Sequence, residues 1–408
     1  MASTDRAALR ERVEALPGLR VLLPVLAGLP PAYLVGGAVR DLLRGADSLD
    51  LDLAVEGDGA AAAREIAARL GGDHVEHGRF GTATVRSEAL ALDVAGTRRE
   101  SYSEPGALPD VEPAGIGEDL ARRDFSVNAM AIGLSGDALG ELHDPFSGAA
   151  DLEAGVIRVL HQASFRDDAT RILRALRYEA RLAFRMEPGT EEAARAAAGE
   201  GLLDTVAGTR VRDELLDLLG EADAPTAVAR MGELGIDRAL HPALEAAPDL
   251  VASVALGCME TGADRALAGL AALAATSRAE GLSPWLDRAG FKAGERDAVL
   301  RAARRAAVVV REIPGAEQPS QLHALLAPEP PETLALALGM GAQAEPVLHF
   351  VRDLSGIALE IDGSDLLAEG VPEGPAVGRG LAAALTAKLD GHARSRDEEM
   401  RVALEAAR

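Results

Sequence analysis

Two aspartates one residue apart, Asp50 and Asp52, stand in the run Leu49-Asp50-Leu51-Asp52-Leu53. Strand alternation sends the three leucines to one face and both carboxylates to the other. Two hard oxygen ligands held side by side suit Mg²⁺, which takes a few carboxylates and completes its shell with substrate phosphates. Just upstream, VGGAVRD places Gly36 and Gly37 where backbone N–H groups can approach a triphosphate. Arg40 and Asp41 then open a helix whose N-terminus faces anions. A strand, a glycine turn and a paired-carboxylate strand together point to metal-assisted nucleotidyl transfer.

A site of this kind also needs a group to deprotonate the attacking hydroxyl. Asp93, in ALALDVAG, is predicted on a neighbouring strand and is the candidate third carboxylate. In EDLARRDFSVNAMAI, Arg122 and Arg123 can clamp phosphates or fix the domain's own acidic strand. Asn128 can hydrogen-bond a ribose or a loop. In SFRDDATRILRALRYEARLAF, Arg171, Arg174, Arg177 and Arg181 recur at helical spacing along one stripe, with few acids between them. Asp168 lies one turn before Arg171, and the two together offer acceptors and donors that could pair with a base edge.

The elements that must hold these residues follow from the pattern of the chain. At 408 residues it exceeds one typical hydrophobic core, so two to four domains are expected. From Tyr33 to about Leu160 short β-rich runs (LDLAV, TATV, ALALDVAG) mix with helices such as GAAAAREIAARLGG, which closes on a glycine stop. Ser101 to Glu118 is rich in Pro and Gly without a period and reads as a mobile surface loop. After Leu160 the strands are expected to stop. GTRVRDELLDLLG, ALAGLAALAATSRAEG and the remainder to Arg408 read as helices.

Composition narrows the partners. A net charge of −23 counts against nonspecific polyanion binding, and 3% aromatics counts against stacking platforms for single strands. An RNA partner would require arginines concentrated locally. No apolar run reaches the roughly 18 residues that span a membrane, and no signal peptide is evident. The single cysteine, Cys258, excludes an internal disulfide framework and a thiolate zinc site, and a cytoplasmic location is the default expectation.

VGGAVRD, DLDLAV, EDLARRDFSVNAMA, LHDPFSGAADL, IRVLH and SFRDDATRILRALRYEARLAF occur in the order seen in class II tRNA nucleotidyltransferases, the CCA-adding enzymes and bacterial poly(A) polymerases. The resemblance is dense from Tyr33 to about Phe184 and weak to about Leu244. It implies an α+β, polymerase-β-like nucleotidyltransferase head (1–160) followed by an all-helical neck with the nucleotide-selecting helix (161–225), a helical body (226–312) and a helical, tRNA-binding tail (313–408). By position, Asp50 and Asp52 would bind catalytic Mg²⁺ ions. Gly37, Arg40 and one of Arg122 and Arg123 would contact the triphosphate. Asp168 and Arg171 would read the incoming base, and Arg174 and Arg177 would support that pocket or the phosphates. Ser101 to Glu118 falls where the family has its flexible catalytic loop.

The family's Glu-Asp before the templating arginine is Asp-Asp here (Asp167, Asp168), and the stretch resembles A-adding enzymes more than compact CCA-adders. The extra N-terminal domains of some relatives are not expected. The implied activity is template-independent addition of all or part of CCA from CTP and ATP to a tRNA 3′ end, by a two-Mg²⁺ mechanism that releases pyrophosphate. Addition of A alone, general poly(A) synthesis and a catalytically silent RNA-binding scaffold are the alternatives.

Overall fold

The computed structural model describes residues 4–46, 50–77, 81–275 and 281–408. Leu49 lies outside the described residues, as does the 276–280 end of the Ala- and Leu-rich helix. The chain divides into two compact units, Met1–Ala207 and Gly208–Arg408.

The first unit opens with helices α1 (Arg6–Ala15) and α2 (Pro17–Val25). Pro17 takes the first position of α2, where its missing N–H costs no helical bond. Strand β1 (Ala32–Val35), helix α3 (Gly37–Arg44), strand β2 (Leu51–Val55) and helix α4 (Gly59–Leu70) follow. Next come β3 (Asp73–His77), β4 (Thr82–Arg86) and β5 (Ala91–Gly96). A separate ribbon of β6 (Arg98–Ser101) and β7 (Asp110–Pro113) leads to α5 (Ile116–Ala121). Strands β8 (Ala131–Gly133) and β9 (Leu142–His143), helix α6 (Gly148–Ala154) and strand β10 (Val156–Ile157) follow. The unit then runs through α7 (Ser164–Asp167), α8 (Arg171–Leu182), β11 (Arg185–Met186) and α9 (Pro188–Gly199).

Seven strands form one mixed sheet in the order β3-β4-β5-β2-β1-β8-β9. Only β2 and β5 pair in parallel, a geometry that requires a crossover, and α4 with the β3–β4 hairpin supplies it. Leu51 and Leu53 are buried while Asp52 faces the other way, as the alternation predicts. Ala62, Ala63, Ile66 and Ala67 form the buried stripe of α4, which packs on β4 and β5. Every residue of β1 is buried, as expected of a strand near the centre of the sheet.

Two sequence expectations need correction. Ser101 to Glu118 is not a structureless loop: it contains β7 and the first turn of α5. The β6–β7 ribbon pairs Arg99 with Glu112 and sets Arg98 opposite Pro113, Glu100 opposite Val111 and Ser101 opposite Asp110, so it carries no hydrophobic period to read. Its connecting turn is seated against the chain. Gly106 has φ +73°, and a Cβ there would lie 2.6 Å from the Thr205 carbonyl oxygen. Nor do strands stop at Leu160, because Arg185–Met186 pairs in parallel with β10. A two-residue strand is too short to show a period.

Among the described residues of the second unit all regular structure is helical. It begins with α10 (Gly208–Gly220), α11 (Ala224–Leu234), α12 (Ile236–Leu240), α13 (Pro248–Thr261) and α14 (Arg265–Ala274). It continues through α15 (Leu282–Arg288), α16 (Ala293–Glu312), α17 (Pro319–Leu326) and α18 (Pro331–Gly339). Val251, Val254 and Cys258 of α13 and Leu334 and Leu336 of α18 are buried where these helices pack together. Burial pushes the Cys258 thiol up to about 11, so it behaves as a small hydrophobe. A smaller apolar cluster of Ile361, Leu366, Ala384 and Ala403 closes the C-terminal helices. No helix among the described residues is long and apolar enough to cross a membrane.

Candidate active site

The parallel pairing of β2 with β5 sets Asp52 directly beside Asp93. Register partners on adjacent strands point to the same face, so the two carboxylates share one floor. They line a cleft of about 360 Å³ together with His77, Thr84, Asp119, Arg122 and Arg123. Burial at the cleft floor is the main cause that raises the Asp52 carboxyl above its ordinary value. The charge of Asp93 adds to the rise, Arg123 opposes it, and Asp50 adds to it weakly. Asp50 is exposed and immediately precedes β2. Among the described residues no group of three or more His, Cys, Asp or Glu forms a ready-made metal cage.

The glycine turn lies beside this cleft. Gly36 has φ 65° and ψ −130°, a conformation that only glycine adopts readily. A side chain there would also press on Nη1 of Arg123, 2.7 Å from its Cβ. Gly37 begins α3, and the Arg40 guanidinium folds back over it. Arg40 is buried. It donates to both carboxylate oxygens of Asp41, at 2.9 and 3.0 Å, and to Oδ1 of Asn128 at 2.8 Å. Arg40 therefore lies beside the glycine turn, engaged by Asp41 and Asn128. Its side chain is consumed by neighbours that fix the turn.

Arg122 and Arg123 both converge on Asp119, a buried carboxylate on α5. Burial pushes Asp119 up, but the two guanidiniums outweigh it and hold its carboxyl below the ordinary range. Arg122 also reaches Glu100 of β6 at 3.2 Å, and Glu100 accepts a hydrogen bond from Tyr102 at 3.0 Å. Burial, helped by Glu100, pushes the Tyr102 hydroxyl up to about 12. Arg122 and Arg123 thus fix an acid of α5, Arg122 also reaches one of β6, and both side chains line the cleft.

The arginine stripe of α8 does not present itself as one exposed face. Arg171 is buried, donating to Ser164 Oγ at 2.7 Å and to the Arg122 carbonyl at 2.9 Å. Arg174 grips Oδ2 of Asp124 through Nε and Nη2 at 2.9 and 2.7 Å. Burial raises the Asp124 carboxyl, but Arg174 and the Asn128 amide overcome it and leave it depressed. The Tyr178 ring lies within 5.6–5.8 Å of the guanidiniums of Arg40, Arg174 and Arg177, and Arg181 is exposed. Asp168 accepts from the Thr170 amide and hydroxyl at 3.1 and 2.6 Å, a local turn just before α8. Arg171 and Asp168 both act on the Tyr102 hydroxyl, so the two lie near the end of β6.

Several residues of this assembly escaped the sequence reading. Asp119 carries a signal, since an acid three and four residues before an arginine pair marks a helical ion-pair cluster. Asp124 sits in the motif already singled out, beside Asn128, for which the sequence itself suggests a hydrogen-bonding role. Glu100, Thr84, His77 and Tyr178 carry no local signal and are brought in by strand pairing and helix docking.

A family model described as the poly(A) polymerase head domain matches residues 32–158, and one described as the probable RNA and SrmB-binding site of polymerase A matches residues 183–247. A CC-adding tRNA nucleotidyltransferase of Deinococcus radiodurans is 34% identical, over 91% of this chain and 88% of its own length. The chain belongs to the tRNA nucleotidyltransferase family. An A-adding member from Geobacter sulfurreducens is 36% identical over 92% of this chain but only 45% of its own length. This chain spans less than half the length of that and two further A-adding relatives, from Halalkalibacterium halodurans and Aquifex aeolicus. The solved structure of a Thermotoga maritima CCA-adding enzyme complexed with tRNA, also of this tRNA nucleotidyltransferase family, superposes with a TM-score of 0.74. It is 29% identical and covers 99% of both chains.

Proposed function

We propose that this chain transfers a nucleotidyl group from ATP or CTP to a tRNA 3′ end, completing all or part of CCA and releasing pyrophosphate. The observation that carries the reading is the register pairing of Asp52 with Asp93 on the floor of a cleft rimmed by Arg122 and Arg123. Asp52 and Asp50 are the residues that would hold Mg²⁺. The fit is chemical: the donors are hard oxygens, and the cleft keeps two acids together without neutralising them. Mg²⁺ takes a few carboxylates and completes its shell with water and substrate phosphate. When bound, such ions neutralise phosphate charge and lower the pKa of a coordinated hydroxyl.

The chain's own residues do the rest. Asp93 accepts the proton of the ribose 3′-hydroxyl as that oxygen attacks the α-phosphorus. Arg123, and Arg122 beside it, face the triphosphate, while Gly36 and Gly37 bring backbone N–H groups close to it. Arg40 holds that turn from beneath. Asp168 and Arg171 select the base at the start of α8, and Arg174 and Arg177 brace them through Asp124 and Tyr178. Positioning and charge neutralisation supply most of the rate. In this reading 161–225 serves as the neck, 226–312 as the body and 313–408 as the tail that holds the tRNA. A-adding and CC-adding relatives both occur at similar identity, which supports partial as well as complete CCA addition.

The test supplies tRNA ending in the discriminator base, in C or in CC, each with labelled ATP or CTP alone and Mg²⁺. Incorporation that depends on the preceding end supports the reading and names the nucleotide. Failure to incorporate either nucleotide into any of the three overturns it. Long A tails on unrelated RNA would assign poly(A) synthesis instead.

A further inference from the structure

Across strands β4, β5 and β2, Thr84, Asp93 and Asp52 are successive register partners and form one row in the cleft. Thr84 Oγ1 lies 2.6 Å from Asp93 Oδ1, and His77 Nε2 lies 2.8 Å from the same Thr84 oxygen. The direction of this chain follows from proton counting. An ionised carboxylate only accepts, and a threonine hydroxyl has one proton to give. Thr84 therefore donates to Asp93, and His77 must donate from Nε2 to Thr84. The strand end that carries His77 is itself tied, because Thr82 Oγ1 donates to the His77 carbonyl at 3.1 Å.

We infer that Thr84, backed by His77, is a positioning residue that ties Oδ1 of Asp93 and leaves Oδ2 turned to the attacking ribose hydroxyl. The carboxylate torsion of aspartate is broad and nearly two-fold, so an untethered group samples orientations that point neither oxygen at the substrate. A short bond to an ionised acceptor is among the stronger hydrogen bonds available in a protein. It also spreads the charge of Asp93, which eases its place beside Asp52. Thr84 is not thereby a catalytic residue, since it acts through Asp93. The inference rests on the reading of Asp93 as the proton acceptor, and the experiment separates the two.

The variants are Thr84→Val, which keeps shape and strand preference but removes the donor, Thr84→Ser, which restores it, His77→Ala, Asp93→Asn, and the double variant Thr84→Val/Asp93→Asn. Each is assayed as full-length chain for single-nucleotide addition to tRNA, with kcat and KM for the nucleotide resolved and thermal unfolding measured alongside. Thr84→Val is expected to lower kcat by about 10- to 30-fold with KM changed by less than about threefold, because orientation and not nucleotide binding is lost. Thr84→Ser should return to within about threefold of the parent, and His77→Ala should lose only about threefold. The double variant should be no slower than Asp93→Asn alone, since the tether then has nothing to position. An inactive Asp93→Asn with a fully active Thr84→Val overturns the tether and spares the reading of Asp93. Multiplicative losses in the double variant also overturn the tether. A fully active Asp93→Asn overturns the reading of Asp93 and the tether with it.

Discussion

The cleft floor and the network behind it treat acidic side chains in opposite ways. On the floor, Asp52 and Asp93 face each other across one strand pair, and the Asp52 carboxyl is raised by burial and by its neighbour's charge. Behind it, Asp119 is matched to Arg122 and Arg123, and Asp124 to Arg174 and Asn128, and both carboxyls are depressed although both are buried. An acid that the protein has already neutralised holds structure together. An acid pair left facing another acid is costly until a cation arrives, and that cost is the sign of a site. The arginines of this acidic chain follow the same division. Arg40, Arg171 and Arg174 are engaged internally, whereas Arg123 spans from Asp119 to the glycine turn and the cleft.

The largest effect is expected on the floor. Asp52→Asn should reduce nucleotide incorporation by about 10³-fold or more in a tRNA end-labelling assay. Its unfolding midpoint should stay level or rise, because a repelling charge is removed. A large loss of stability would place Asp52 with the structural acids and break the contrast.

Asp124→Asn should do the reverse. Breaking a buried acid from a partly exposed arginine costs about 2 kcal/mol of unfolding free energy, measured by urea titration. The pH dependence follows from the same acids. Asp119 and Asp124 have folded values below their ordinary 3.8, so their stabilisation is fully present above that value. It is lost as pH falls through their depressed values. A chain carrying Asp119→Asn and Asp124→Asn should be less stable at pH 7, and its stability should fall less steeply below about pH 4 than the parent's. An equal slope in both would show that these acids are not held by their arginines.

Arg123→Lys should keep the charge but lose the fork that spans Asp119 and the turn. The KM for nucleotide should rise by about 5- to 10-fold with a smaller change in kcat. The smallest effect is expected at Tyr178, whose ring gathers three guanidiniums. Tyr178→Leu should lower stability by about 1 kcal/mol beyond the loss of packing, and Tyr178→Phe should restore most of it.

Legibility in the sequence varied by residue for physical reasons. The strand that turns Asp52 away from Leu51 and Leu53 and the turn at Gly36 are dictated within a few residues, so their placement could be read directly, whereas Asp50 precedes the strand. The roles of Arg122 and Arg123 were left open between clamp and brace, because the choice depends on where Asp119 and Glu100 end up. The neighbours of Arg40 were hidden for a similar reason. Its partner Asn128 is remote in sequence and captures it inside the fold. The β6–β7 ribbon was invisible, since one valine and one proline among charged and polar residues leave no period.

The sequence by itself determined the strand that presents Asp52, the helix that follows the glycine turn, the helical character of the rest and the family to which the motifs belong. These are consequences of the pleat, the helical period and the dihedral freedom of glycine, all of which act between near neighbours. Only the tertiary structure decided that Asp93 would lie opposite Asp52, that Thr84 and His77 would stand behind it, and that Arg40 and Arg171 would turn inward. Those outcomes depend on the register of a parallel strand pair closed by a crossover and on the docking of α8, and no local pattern encodes a distance across the chain.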